Sequence, residues 1–128
     1  MFPAMYKIKP WIAFIIGGII WYIWHIALVL VLPVAQTFTI TQTILNHLFL
    51  VIGTICTLVF LAYVYVKTQS IWITSFTHIA LNNASRSFSY FTIVKDQFMA
   101  NLGIMITMIL VIGVMYFRNK FTVFKKIQ

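Results

Sequence analysis

The sequence is short of charge, and above all of negative charge. Only 8% of its 128 residues are charged, glutamate is absent, and the single acidic residue is Asp96. Hydrophobic residues make up 62% of the chain, and the mean hydropathy is +1.01. A soluble domain of this length needs more charge to cover its surface. The composition therefore excludes an ordinary soluble domain and predicts an integral membrane protein.

Cysteine is almost absent as well. Cys56 is the only one in the sequence, so no disulfide forms within the chain. It lies in the middle of an apolar stretch, where we expect it to pack as a small apolar side chain. It carries little information about the redox compartment.

Long apolar runs dominate what is present. Residues 11–32, 44–66 and 98–117 form runs of 22, 23 and 20 residues, and a shorter run covers residues 71–85. A helix of about 20 residues crosses a hydrocarbon core of about 30 Å. The runs are continuous rather than alternating, which favours helices over a barrel. We predict an all-α polytopic membrane protein with about four transmembrane helices in a single membrane domain, residues 1–128. The segment 87–97 is either a loop or an extension of the third helix.

The basic residues give the chain a net charge of +8, but they flank the apolar runs and form no patch of their own. We therefore predict no nucleic-acid partner and read them as orientation signals. Arg86 and Lys95 belong to one side of the membrane. The other side receives Lys7, Lys9, Lys67, Arg118, Lys120, Lys125 and Lys126. This bias predicts that both termini are cytoplasmic, with the chain embedded in the cell membrane and the lipid bilayer as its partner.

Two histidines fall inside apolar runs. His25 lies in the first run and His78 in the shorter third one, whereas His47 lies near the start of the second run, where we expect lipid headgroups to solvate it. An ionisable side chain at membrane depth costs a few kcal/mol and indicates function, although polar side chains also join helices structurally.

Spacing pairs these histidines with neighbours on their own helices. His78 and Asn82 are four residues apart, and so are Trp21 and His25. Residues four apart project from the same face of a helix. At about 1.5 Å per residue, His25 lies about 21 Å inside the first run and His78 about 16 Å beyond Lys67. Spacing alone leaves a shared polar site and two separate structural hydrogen bonds equally open.

Two stretches resemble motifs of the CPBP family, the CAAX-protease and bacteriocin-processing intramembrane proteases often described as Abi-type. Residues 67–83, K-T-Q-S-I-W-I-T-S-F-T-H-I-A-L-N-N, resemble the H-x-x-x-N motif region, with Gln69 where the family often has glycine. Residues 17–27, G-G-I-I-W-Y-I-W-H-I-A, resemble the second motif, an aromatic residue four before a histidine. Many members continue with Leu-Pro, where this chain has Ile26 and Ala27. The resemblance covers roughly residues 1–85.

The resemblance implies an intramembrane endopeptidase acting on a peptide or protein substrate, such as a prenylated C-terminal tail or a leader peptide. It implies that His25, His78 and Asn82 are catalytic, with His78 and Asn82 stabilising the oxyanion, and that Trp21 lines the site. The family's first motif, Glu-Glu-x-x-x-Arg, supplies the glutamate that activates water, and it is absent here. Such a base contributes orders of magnitude in rate, so we expect this chain to be inactive alone.

The first ten residues resemble the segment that follows the Glu-Glu-x-x-x-Arg motif in family members. This suggests that the chain is the C-terminal portion of a CPBP-type protease core, with a missing N-terminal half as a partner. Asp96 is a poor substitute for the missing acid, because it adjoins Lys95 more than ten residues beyond Asn82.

Other functions stay open. The absence of glutamate favours a non-enzymatic membrane protein, such as an immunity or partner protein. A small proton-coupled transporter is disfavoured, because such proteins usually depend on a carboxylate within the membrane. Two histidines without a carboxylate make a poor zinc site, and the residues leave open whether a metal or any other cofactor takes part.

Overall fold

The computed structural model describes residues 10–31, 39–91 and 97–119, and every regular element in these ranges is an α-helix. The all-α prediction with four helices is confirmed. In chain order the helices are α1 (Pro10–Val31), α2 (Ile40–Thr68), α3 (Ile71–Phe91) and α4 (Gln97–Asn119).

Two stretches of the described chain are long and apolar enough to cross a membrane by themselves. They are Ile40–Thr68, which is the whole of α2, and Met99–Arg118 in α4. Helix α3 is more polar and continues beyond the predicted residue 85, so that residues 87–91 extend the helix. Residues 92–96, the rest of the segment whose path the sequence left open, lie outside the described residues, as does Asp96.

Helix α2 begins four residues before its apolar run because a capping box starts it. The Thr39 hydroxyl oxygen accepts the Gln42 backbone N–H at 3.3 Å, and the Gln42 side-chain oxygen accepts the Thr39 backbone N–H at 3.0 Å. Two amide groups that have no partner within the helix are satisfied in this way. The polar first turn of α2 is thus a helix start encoded by its own side chains.

The connection from α2 to α3 turns on Gln69. Its backbone adopts the left-handed conformation, φ 52° and ψ 23°, and its N–H donates to the Tyr65 carbonyl at 2.7 Å. The side-chain amide donates to the Val66 carbonyl at 2.9 Å. Glycine is the usual residue in this helix-ending conformation. The geometry explains why the motif that this stretch resembles often has glycine at the position.

Helix α2 is central and packs against each of the other three helices, most extensively against α1 and α4. A buried cluster of Ala13, Phe14, Val59 and Met115 joins α1, α2 and α4. The cluster lies towards the first turns of α1 and the last turns of α4, so the core is at the end opposite the start of α2.

Two further contacts join the helices along α2. The Thr54 hydroxyl donates to the Gly18 carbonyl at 3.4 Å, and a Cβ placed on Gly18 would lie only 2.9 Å from the Ile55 Cα. On the α4 side, the Asn101 amide donates to the buried Asn46 amide oxygen at 2.7 Å. Hydrogen bonds between helices satisfy polar groups that lipid cannot. The bundle is therefore joined both by close backbone packing and by a hydrogen bond between two side-chain amides.

Much of the exposed surface of the described helices is apolar. Helix α1 shows this most clearly, since its exposed large side chains are Trp11, Ile12, Ile15, Ile16, Ile19, Ile20, Ile23 and Trp24. Water would be an unfavourable solvent for a continuous surface of this kind, whereas hydrocarbon matches it. The structure thus supports the membrane location predicted from composition.

Candidate active site

The three histidines of the chain lie on three different helices and contact one pair of adjacent aromatic residues in α1. The Trp21 indole packs edge-on against the His78 imidazole of α3, with ring centroids 4.9 Å apart and an interplanar angle of 83°. The Trp21 carbonyl is 2.9 Å from Nδ1 of His25. The neighbouring Tyr22 hydroxyl is 2.5 Å from Nδ1 of His47 in α2. Trp21 and Tyr22 together therefore contact all three imidazoles.

The contact between His25 and the Trp21 carbonyl determines which nitrogen of the His25 ring carries the proton. A carbonyl oxygen only accepts hydrogen bonds, so Nδ1 of His25 carries the proton that it donates. In the neutral ring Nε2 then holds the lone pair. The half-buried His25 thus presents an atom that can accept a proton or share one with water.

His78 and Asn82 form the hydrogen bond that their spacing allows. The Asn82 amide nitrogen lies 3.1 Å from Nε2 of His78, so Nε2 accepts and the neutral ring carries its proton on Nδ1. Asn82 is exposed and His78 is half-buried. An amide nitrogen has two N–H donors, of which one points at His78. A carboxamide and an imidazole held in this way are the groups that stabilise a developing oxyanion.

The structure brings the two sequence motifs together through Trp21. His25 belongs to the same motif and lies one helical turn, about 6 Å, beyond Trp21 along α1. Asn82 lies one turn beyond His78 along α3. Each histidine hydrogen-bonds within its own helix, and the Trp21–His78 contact places the two motifs side by side, so a shared polar site stays a prediction. The catalytic roles of these residues and the lining role of Trp21 stay predictions.

His47 has a protein partner rather than only lipid headgroups. It is half-buried and bonded to Tyr22, which is 25 positions earlier in the chain. Its neighbour Asn46 faces α4 instead and bonds to Asn101. Sequence reasoning missed the Tyr22–His47 pair because no motif or spacing connects residues on different helices.

The described helices contain no acidic side chain, because the only acid of the sequence, Asp96, lies outside them. Across residues 10–31, 39–91 and 97–119 no group of three or more His, Cys, Asp or Glu side chains is arranged to hold a metal ion. The site as described therefore has imidazoles and a carboxamide, and no carboxylate among the described residues.

A family model matches about two thirds of the chain. The family model for the Rce1-like type II CAAX prenyl endopeptidases matches residues 1–84 of the 128 residues. No curated protein matches the chain. No solved structure matches it either. The matched region includes Trp21, His25, His78 and Asn82, and it ends within α3, two residues after Asn82. The chain belongs to the Rce1-like family of type II CAAX prenyl endopeptidases.

Proposed function

We propose that this chain carries the histidine and asparagine part of a CAAX-type membrane endopeptidase site, with His25, His78 and Asn82 as its catalytic residues. The observation that supports this most directly is the contact of Trp21 with His78. It joins the two motif-bearing helices at the level of the polar side chains.

The chemistry follows from the donors and acceptors of the site. Water attacks the carbonyl carbon of the scissile peptide bond, its proton passes to a base, and the carbonyl oxygen becomes an oxyanion. The amide of Asn82, supported by His78, donates to that oxygen, and Nε2 of His25 helps to orient the water. Collapse of the tetrahedral intermediate breaks the C–N bond, and the leaving nitrogen takes up the proton from the base.

The base itself is a carboxylate supplied from outside these 128 residues. Family resemblance assigns this role to a glutamate of a Glu-Glu-x-x-x-Arg motif, and the sequence contains no glutamate. We therefore propose that the chain is inactive alone and works together with a segment that carries this motif, the missing N-terminal half. Oxyanion donors such as Asn82 and His78 do not by themselves remove the proton from the attacking water.

The substrate is proposed to be the C-terminal tail of a prenylated protein or a leader peptide, cleaved near the membrane surface. Trp21 would line the site on the α1 side. Its ring is half-buried, so part of the indole is accessible to a bound chain.

The absence of glutamate also supports a second function, a non-enzymatic membrane immunity or partner protein that binds another membrane protein through these helices. In that case the two histidines would serve packing alone. A biological activity of the chain would then survive the loss of both.

The deciding experiment reconstitutes the chain in liposomes with a membrane segment from a family member that contains Glu-Glu-x-x-x-Arg. Cleavage of a fluorogenic prenylated peptide is then measured. We expect cleavage only when both parts are present, and none when either His25→Ala or His78→Ala is introduced. Trp24→Phe is the matched control, because Trp24 lies on the same helix as His25 and is 73% exposed. Unchanged cleavage in either histidine variant would overturn the assignment.

We also propose that both termini are cytoplasmic. Helices α2 and α4 run in the same direction, as the pairs Asn46–Asn101 and Val59–Met115 show. Lys67 and Arg118 lie in the last turns of these two helices. These two cations therefore lie at the same end of the bundle, as the positive-inside rule requires of a cytoplasmic face. Labelling of single cysteines introduced at Lys67 and Gln42 with a membrane-impermeant reagent tests this orientation in cells.

A further inference from the structure

The hydrogen bond between Tyr22 and His47 lies beside the proposed site but contains none of its residues. The two side chains are half-buried, their rings are 6.2 Å apart in an edge-on arrangement, and the Tyr22 hydroxyl is 2.5 Å from Nδ1 of His47. We propose that Tyr22 and His47 are positioning residues that hold α1 in the rotation at which Trp21 and His25 face His78. The catalytic consequence rests on the proposed function, whereas the positioning itself does not.

Helix geometry connects the pair to the site. Adjacent residues of an α-helix are separated by about 100° around its axis. With Tyr22 bonded to α2, Trp21 points about 100° away, and its ring meets His78 of α3. Any rotation of α1 that moves Tyr22 from His47 moves Trp21 by the same angle. The Tyr22–His47 bond is therefore placed to set the direction of Trp21.

The other contacts between α1 and α2 are less suited to this role. Gly18 packs closely on Ile55, but a glycine has no side chain whose direction a neighbour can hold. The hydrogen bond from Thr54 to the Gly18 carbonyl is long, at 3.4 Å. The buried cluster with Phe14 lies eight residues before Tyr22, about 12 Å along the helix. Tyr22 is one residue from Trp21 and three from His25.

The chemistry of the bond makes it directional. The Tyr22 hydroxyl and Nδ1 of His47 share one hydrogen, and the His47 tautomer decides which of them donates, so in either case the two groups must align. Phenylalanine at position 22 would keep the packing, but without the hydrogen bond it would not fix the direction in which this side chain points.

The experiment records the imidazole resonances of the isotope-labelled chain in lipid nanodiscs and needs no enzymatic activity. The Trp21→Leu variant is recorded first, and it shows how much the indole ring changes the chemical shifts of the His78 ring. We expect Tyr22→Phe and His47→Phe each to change the chemical shifts of the His78 ring by at least half of the change that Trp21→Leu causes. The double variant should move them no further than either single change, because the two residues act through one bond.

Two additional variants separate positioning from general damage. His47→Gln retains both a donor and an acceptor for the Tyr22 hydroxyl and is expected to restore the His78 signals. Trp24→Phe alters an exposed ring of the same helix and is expected to leave them in place. If Tyr22→Phe moves the His47 signals but not those of His78, the bond exists and does not position the site, and the proposal is overturned. Failure of His47→Gln to restore the signals when His47→Phe has moved them overturns it as well.

In the reconstituted protease, Tyr22→Phe should lower kcat about tenfold and change KM less than twofold, because the reacting groups are misaligned while the substrate surface remains. If the reconstituted protein never cleaves peptide, the proposed function fails, and the resonance measurements still decide the positioning role.

Discussion

The Trp21 indole packs edge-on against the His78 imidazole with ring centroids 4.9 Å apart, and it does so between two helices that each pack on α2. Its own backbone carbonyl accepts a hydrogen bond from His25. One residue thus touches both histidines that the family resemblance identifies as catalytic. Four predictions test this arrangement and the fold around it.

Trp21→Ala should weaken the packing of α1 against α3. An edge-on aromatic pair contributes about 0.5–1.5 kcal/mol beyond the area that it buries, so we expect a loss of about 2 kcal/mol in the free energy of unfolding. Trp21→Phe keeps an aromatic edge and should recover part of that loss. Unfolding in mild detergent, followed by circular dichroism, measures the difference. Trp24→Ala is the control, with an expected effect within about 0.5 kcal/mol, because that ring is exposed.

Asn82→Ala should reduce peptide cleavage by the reconstituted protease about 100- to 1000-fold, as the loss of one oxyanion donor does in other hydrolases. The stability of the chain should change little, because Asn82 is exposed. Asn83→Ala is the matched control, since Asn83 is also exposed but five residues from His78 and so points elsewhere. Equal losses of activity in the two variants would contradict the role assigned to Asn82.

Gln69→Gly should stabilise the chain. A side chain in the left-handed conformation costs roughly 1 kcal/mol, which glycine avoids. The change also removes the hydrogen bond from the Gln69 amide to the Val66 carbonyl, so we expect a net gain below about 1 kcal/mol. Gln69→Ala keeps the unfavourable backbone and loses the same bond, and it should be destabilising. Measured unfolding free energies of the two variants should therefore have opposite signs relative to the unaltered chain.

Gly18→Ala should destabilise the packing of α1 on α2. The added Cβ would lie 2.9 Å from the Ile55 Cα, an atom of the backbone that cannot turn aside. Forcing helices apart in this way typically costs about 1–3 kcal/mol. Gly113→Ala is the control, because a Cβ there meets nothing within 4 Å, and the better helix propensity of alanine should stabilise α4 slightly. A neutral Gly18→Ala variant would show that α1 is free to shift.

Relationships within one helix were predictable from the sequence. The spacing of four residues between His78 and Asn82 predicted that they project together, and the structure shows their side chains 3.1 Å apart. The apolar runs predicted four helices, because a run of about 20 apolar residues has few other ways to satisfy its backbone in lipid. The family that the Trp21–His25 and His78–Asn82 motifs indicated is confirmed by the match over residues 1–84.

Relationships between helices were decided only by the tertiary structure. Nothing in the spacing of the chain connects Tyr22 with His47 or Asn46 with Asn101, because each pair depends on which faces of two helices meet. The apolar run from residue 44 also left the start of α2 open, since hydrophobicity marks the segment that lipid covers, whereas a polar capping box begins the helix at Ile40. The spacing of four residues determined that Trp21 and His25 share one face of α1 and that His78 and Asn82 share one face of α3. Packing around α2 brought Trp21 of the first pair against His78 of the second.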